Sequence, residues 1–315
     1  MLTFLASALL LPIPSQAAST PTYMLPQSTN LHVDISPDNK SIVFTSYTAN
    51  SQHNGEIWLM DLETKQGRKI GEGDDPAFSA DGKKIAFACK PEGEDLREIY
   101  TMDADGKNVK RLTTTNFECR DPSWRPDGSE IIFVATNEDT TFFNPWSVTP
   151  ASGKFGSIPA FNLSSPAIYH PKTSDLYYSH YAEAEDGSSR KALFVFPEIK
   201  KVQTVFRMPS SEKYEVESCA ISWDGAYIAY IMYDSESNVN IVAMELIQPE
   251  LRENTHRFYI SRDSKDFGAF PAVQSLCVAN GGKFVVISAL TERENSRATL
   301  FMLQGDKRIQ LTNGK

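Results

Sequence analysis

Six times along this chain an apolar triplet stands three residues after a turn position: Ile42-Val43-Phe44, Ile85-Ala86-Phe87, Ile131-Ile132-Phe133, Leu176-Tyr177-Tyr178, Ile228-Ala229-Tyr230 and Val285-Val286-Ile287. A fixed local offset returning at a period of about 45 residues is the signature of an array of like supersecondary units. The turn positions are Asn39, Gly82, Gly128, Thr173, Gly225 and Gly282, and Pro37-Asp38-Asn39 and Pro126-Asp127-Gly128 spell tight hairpin loops. Glycine suits such loops because it accepts a positive φ without steric cost. A second beat follows in a third strand, at Trp58, Tyr100, Trp146, Phe194 and Phe301, with Val242 in the fifth unit. A more polar fourth strand comes after another turn, as in Asp105-Gly106-Lys107-Asn108 leading to Arg111-Leu112-Thr113, echoed by Arg308 to Thr312.

Each unit is therefore four short antiparallel strands. One such sheet cannot bury both faces, so neighbouring units must stack, and six of them closed into a ring give an all-β, six-bladed propeller. A β-sandwich would not explain one four-strand order recurring along the whole chain. Residues 31–315 are filled by the repeats, and the aromatic residues of the third strands are expected to pack between blades. Residues 1–17 read as an export signal, an apolar run ending in Ser15-Gln16-Ala17, with 18–30 a short arm. The competing reading is a buried apolar N-terminal strand. The run is too short to span a bilayer, so no membrane segment is expected in the mature chain.

The formal net charge of -9 and pI near 5.2 disfavour nucleic acid, because phosphate binding needs clustered Lys and Arg. Basic residues are scattered, with no run longer than a pair such as Lys110-Arg111 or Arg190-Lys191. Cys89, Cys119, Cys219 and Cys277 form no Cys-x-x-Cys pair, so local zinc and thiol-redox chemistry are unsupported. Cys89 should end one strand and Cys119 begin another on the same rim; a bridge between them and two free thiols both remain open.

Common catalytic signatures are missing: Gly-x-Ser-x-Gly, His-Glu-x-x-His, the phosphate-binding glycine loop and Gly-x-Gly-x-x-Gly. Asp103-Ala104-Asp105-Gly106-Lys107-Asn108 opens like a calcium loop, but Leu112 stands where the bidentate glutamate belongs. Asp266-Phe267-Gly268 has no kinase context, and Asn162-Leu163-Ser164 is a single glycosylation sequon. Aligning the repeats puts His32, Asp75 and Asp121 at one position, the start of the innermost strand, with Ser218 and Ser275 there in units five and six. Innermost strands line the channel of a propeller. His32, Asp75, Arg120, Asp121 and Glu217 therefore converge on one mouth, Asp75 and Asp121 as possible ligands for a cation such as calcium in the channel. The alternative is that each aspartate caps amides of its own blade. His170 aligns farther down its strand as a second channel histidine.

The segments Asp75-Pro76-Ala77-Phe78-Ser79-Ala80-Asp81-Gly82, Glu98-Ile99-Tyr100-Thr101-Met102-Asp103 and Lys110-Arg111-Leu112-Thr113, with Asp121-Pro122-Ser123-Trp124-Arg125-Pro126-Asp127-Gly128 in the next unit, resemble the PD40 (WD40-like) repeat of TolB-like six-bladed propellers. The resemblance covers nearly the whole mature chain. It implies a periplasmic or secreted protein that binds a protein or peptide partner at the channel mouth. The expectation is thus an exported, non-enzymatic binding propeller with no catalytic residues and no required cofactor. The alternative is a metal-assisted propeller enzyme, of the oligogalacturonate-lyase or lactonase kind. A third reading, a fragment of a larger peptidase, lacks a hydrolase domain between Ala18 and Lys315.

Overall fold

Each apolar triplet lies in the second strand of a sheet whose strands follow one another in chain order. The computed structural model describes residues 30–48, 51, 53–136, 144–158, 166–183, 187–197, 204–207, 214–247, 270–290, 298–305 and 307–312. Blade one is β1 (Asn30–Ile35), β2 (Ser41–Ser46), β3 (Glu56–Asp61) and β4 (Gly67–Glu72). Blade two is β5 (Asp74–Phe78), β6 (Lys84–Cys89), β7 (Glu98–Asp103) and β8 (Lys110–Arg111), and blade three is β9 (Glu118–Trp124), β10 (Ile131–Thr136), β11 (Asn144–Val148) and β12 (Phe155–Ser157). Blade four is β13 (Ile168–Tyr169), β14 (Leu176–Glu183), β15 (Ser189–Phe196) and β16 (Thr204–Arg207). Blade five contributes β17 (Tyr214–Ile221), β18 (Tyr227–Asp234) and β19 (Val239–Leu246) among the described residues. Blade six is β20 (Ala272–Val278), β21 (Val285–Leu290), β22 (Thr299–Gln304) and β23 (Lys307–Gln310). All pairings are antiparallel, and the helical element among the described residues is a single 3-10 turn at Asn280–Gly282.

The triplets are apolar at consecutive positions because a blade is covered on both faces. Ile42, Val43, Ile85 and Ala86 are all buried. Six hydrophobic clusters form, one at each interface between neighbouring blades. The ring closes without a shared strand: Val33, Ile35 and Ile42 of blade one pack on Cys277, Val286 and Leu300 of blade six. Directional bonds support that seam, with the Val33 amide donating to Ser275 Oγ at 3.0 Å and the Asn280 amide to Asn39 Oδ1 at 3.0 Å.

Local details correct or sharpen the sequence-based expectation in three places. In blade four the left-handed turn residue is Ser174 (φ 57°) and not Thr173; the other five turns keep Asn39, Gly82, Gly128, Gly225 and Gly282 at positive φ. All five third-strand aromatics pack against clusters between blades, Phe194 and Phe301 buried and Trp58, Tyr100 and Trp146 half-buried. The third strand lies toward the outside of the ring, where Trp146 leans on Phe117 and Phe155 at centroid distances of 5.2 and 6.3 Å. All four cysteines are free: Cys119 Sγ faces Thr115 Oγ1 and Cys89 Sγ faces its neighbour's carbonyl, so the bridge does not form. Residues 1–17 and most of 18–30, the sequon at Asn162, His256 and Asp266-Phe267-Gly268 lie outside the described residues.

Candidate functional site: the acidic mouth of the central channel

The innermost strands are interrupted where the sequence places its acids. Register shifts fall between Asn30 and Val33, Asp74 and Ala77, Arg120 and Ser123, Val216 and Ser218, and Val273 and Ser275. A bulge adds a residue that the ladder does not use and re-aims its side chain. The residues freed in this way include His32, Asp75, Asp121, Glu217 and Gln274. In blades two and three the bulged residue is left-handed, Asp75 at φ 54° and Asp121 at φ 51°, a conformation aspartate tolerates better than most side chains.

Three of the five expected site residues meet. His32 Nε2 lies 3.2 Å from Asp75 Oδ1, and His32 Nδ1 lies 3.7 Å from Asp121 Oδ1. Asp75 Oδ2 accepts the Asp121 amide at 3.2 Å. Among the described contacts, neither carboxylate caps its own blade; their partners come from other blades. Asp75 is buried and Asp121 nearly so, while His32 leaves 36% of its side chain open.

Burial pulls the His32 imidazole down, but the carboxylates of Asp75, Asp121 and Asp74 outweigh it and hold its pKa above the ordinary value. Burial first, and the Asp75 carboxylate second, push Asp121 up to about 7. The mouth thus holds one imidazole and two crowded carboxylates that compete for protons.

Arg120 and Glu217 do not join this group by direct contact, although the Arg120 charge acts on both His32 and Asp121. Arg120 Nε is taken by Glu118 Oε1 at 2.9 Å, and Glu217 receives Lys191 Nζ at 2.7 Å. Sequence reasoning passed over Asp74, which is buried and receives Arg97 Nε at 2.8 Å, the Gly55 amide at 3.2 Å and the Tyr47 hydroxyl. Arg97 continues to Glu118 Oε1 at 2.7 Å, so one chain of charges ties blades one, two and three behind the mouth. The adjacent pair Asp74-Asp75 was its visible trace. His170, expected as a second channel histidine, sits in the first turn of blade four with Nε2 3.0 Å from the Gly225 carbonyl.

Below the acids, a cavity of about 340 Å³ runs along the channel. Its upper wall holds His32, Asp75, Asp121 and Gln274; its lower wall is Phe78, Trp124, Tyr169, Ile221 and Trp223. Between them Asp34 accepts the amides of Phe78 at 2.7 Å and Ile35 at 2.8 Å, and burial raises its carboxyl to about 6. One nitrogen of His32 and one oxygen each of Asp75 and Asp121 lie within 4.8 Å of one another. That N/O/O set suits a divalent transition metal better than calcium, which prefers an all-oxygen shell.

A closed ring of six antiparallel blades, four-stranded in five of them and with three described strands in blade five, around an acidic channel defines the class as a six-bladed propeller. Residues 22–143 match the family described as TolB beta propeller domain, or PD40. Among curated relatives, the uncharacterized peptidase YuxL of Bacillus subtilis is 34% identical over 29% of this chain and 13% of its own length. Dipeptidyl-peptidase 5 of Porphyromonas gingivalis is 30% identical over 39% of this chain and 20% of its own. A TolB homolog of Chlorobium luteolum is 30% identical over 38% and 26%. The chain thus spans about a quarter or less of the length of these relatives. By fold it is similar to a putative TolB from Agrobacterium tumefaciens (TM-score 0.60, 16% identity, 83% of this chain and 90% of that one). It is also similar to an oligogalacturonate lyase in complex with manganese (TM-score 0.56, 14% identity, 89% and 75%) and to the acylaminoacyl peptidase of Pyrococcus horikoshii (TM-score 0.58, 12% identity, 91% and 53%). By fold the chain is a six-bladed β-propeller, and its residues 22–143 carry the match to the TolB beta propeller domain.

One expectation is corrected here. The missing catalytic signatures pointed to a chain that is not an enzyme, but two relatives are named as peptidases and the fold neighbours include an acylaminoacyl peptidase. A motif search reads local segments, whereas a site assembled from several blades leaves none.

Proposed function

We propose that the protein binds a protein or peptide partner at the channel mouth, with a basic group of the partner seated against Asp75 and Asp121. The observation that carries this reading is that the two carboxylates come from different blades and lie within 4.8 Å of each other and of a His32 nitrogen. Crowded carboxylates repel, and a cation between them relieves that cost. Relatives named as peptidases support a peptide as the ligand. Binding of a Lys- and Arg-containing peptide library, measured by calorimetry, tests it: Asp75→Asn with Asp121→Asn should weaken binding at least tenfold and leave the fold intact. A double variant that melts early yet binds normally would reduce the pair to structural caps.

A second reading has its own support. The His32, Asp75 and Asp121 donor set fits a divalent metal, and a fold neighbour is an oligogalacturonate lyase in complex with manganese. On this reading the three residues hold a metal that would supply Lewis-acid chemistry to a saccharide or other small substrate. Manganese titration of the wild type and of His32→Ala separates the two readings, since only a metal site loses manganese binding with the imidazole.

Export to the periplasm or the medium belongs to the same proposal and rests on the apolar segment ending at Ala17. N-terminal sequencing of the mature protein should begin at Ala18; a chain still starting at Met1 would refute it. No helix among the described residues is long and apolar enough to cross a membrane.

A further inference from the structure

At the second position of the first turn, blades one to four have Pro37, Ala80, Pro126 and Pro171, and blade six has Asn280. Blade five has Trp223. Its indole N–H donates to the Ile35 carbonyl of blade one at 2.8 Å, although blade six separates the two in the ring. The same ring packs against the cluster between blades six and one and the cluster between blades one and two. A side chain from blade five that touches both must lie across the end of the channel, and Trp223 also lines the cavity.

Resting on the reading of the mouth as a cation site, we propose that Trp223 closes the turn end of the channel and makes it a one-mouthed, two-toned pocket for a ligand with a cationic head and an apolar body. The acids hold the head; Phe78, Trp124 and Trp223 receive the body. The polar group between the two zones, Asp34, is engaged by two backbone amides and offers little to a second cation. Three strand steps separate Asp121 from Trp124 and Asp75 from Phe78, so head and floor are roughly 10 Å apart at most. The floor therefore sets a maximum ligand length, which an open channel would not do.

Straight-chain primary alkylamines from butylamine to decylamine, with the matching alkanols, test this by calorimetry. For the wild type, amine affinity should rise about fourfold per methylene until the chain spans the pocket, and then level off. Trp223→Ala should abolish the ceiling, so that the longest amines keep gaining. Should that variant fail to fold, Trp223→Leu, which keeps the floor apolar but shorter, must shift the ceiling to longer amines. A wild-type affinity independent of chain length, or a ceiling unchanged in the folded variants, overturns the proposal. Amines that bind no better than alkanols would instead defeat the cation reading of the mouth. A clear amine preference without length dependence defeats the floor alone.

Discussion

The two ends of the channel are built from the same six inner strands, yet one end is electrostatic and the other is packed. At the mouth the ladders are broken by bulges, two aspartates are left-handed, and His32 stands between carboxylates that raise its pKa. At the turn end the blades are joined mainly by bonds to uncharged groups, Trp223 to the Ile35 carbonyl, Asn280 to the Pro37 carbonyl and His170 to the Gly225 carbonyl, with the Gly281 amide donating to the Asp224 carboxylate at 2.6 Å. There burial pulls His170 below the ordinary histidine value, against the smaller upward pull of its carbonyl partner. Its Nδ1 accepts the amides of Lys172 and Thr173, which fixes the neutral ring with its proton on Nε2. Two histidines of one ring are thus driven in opposite directions, one toward titration and ligand exchange, the other toward a fixed joint.

Substitutions in the seam behind the floor should cost stability and spare ligand binding, unlike those at Trp223, which lines the cavity. Ile35→Ala, in the seam between blades six and one, should lower unfolding free energy by about 3 kcal/mol in urea titrations, with alkylamine or peptide affinity at the mouth unchanged. A loss of affinity in the folded variant would mean the two ends are not independent. Trp223→Phe removes one hydrogen bond while keeping an aromatic floor, and should cost about 1 kcal/mol.

The mouth should show itself through pH. Folded Asp121 and Asp34 keep a proton in a range, from about 4 up to about 7 and about 6, where the unfolded chain has already released it. Their contribution is full below the unfolded value and is lost as pH rises through the folded one. His32, raised as well, acts with the same sign: its stabilisation is complete below the unfolded value near 6.5 and fades above it. The melting temperature should therefore fall between pH 5 and pH 8, and Asp121→Asn should flatten that slope. His170, held low, has the opposite sign: its contribution is present above the unfolded value and is lost as pH falls from there through the lower folded value, so His170→Gln should leave the mouth-driven slope standing or steeper. A profile that is flat in the wild type would contradict the crowded mouth.

What the sequence disclosed follows from symmetry. His32, Asp75 and Asp121 occupy one repeat position, and a closed ring must bring such positions together whatever the details of each blade. Trp223 was hidden for the converse reason: its role depends on one side chain crossing the ring to Ile35, 188 positions away in the chain, which no local pattern records. Arg120 and Glu217 had the right charge and neighbourhood but are taken by Glu118 and Lys191. The half-buried Trp58, Tyr100 and Trp146 show the limit of periodicity, which locates a strand but not how far it lies from the channel. Trp146→Ala should consequently cost about 1–2 kcal/mol, less than the 3–5 typical of a fully buried aromatic such as Phe133.

The most direct measurement is an NMR titration of the His32 imidazole, in the wild type and in the Asp75→Asn, Asp121→Asn double variant, with and without a basic peptide or alkylamine. The account requires a pKa above 6.5 in the wild type, a fall in the double variant, where burial acts unopposed by those two carboxylates, and a fall in the wild type when a cation enters and competes with the imidazolium. A His32 that titrates at the ordinary value in both proteins and ignores added cations would contradict the claim that these three residues form one cation-receiving site.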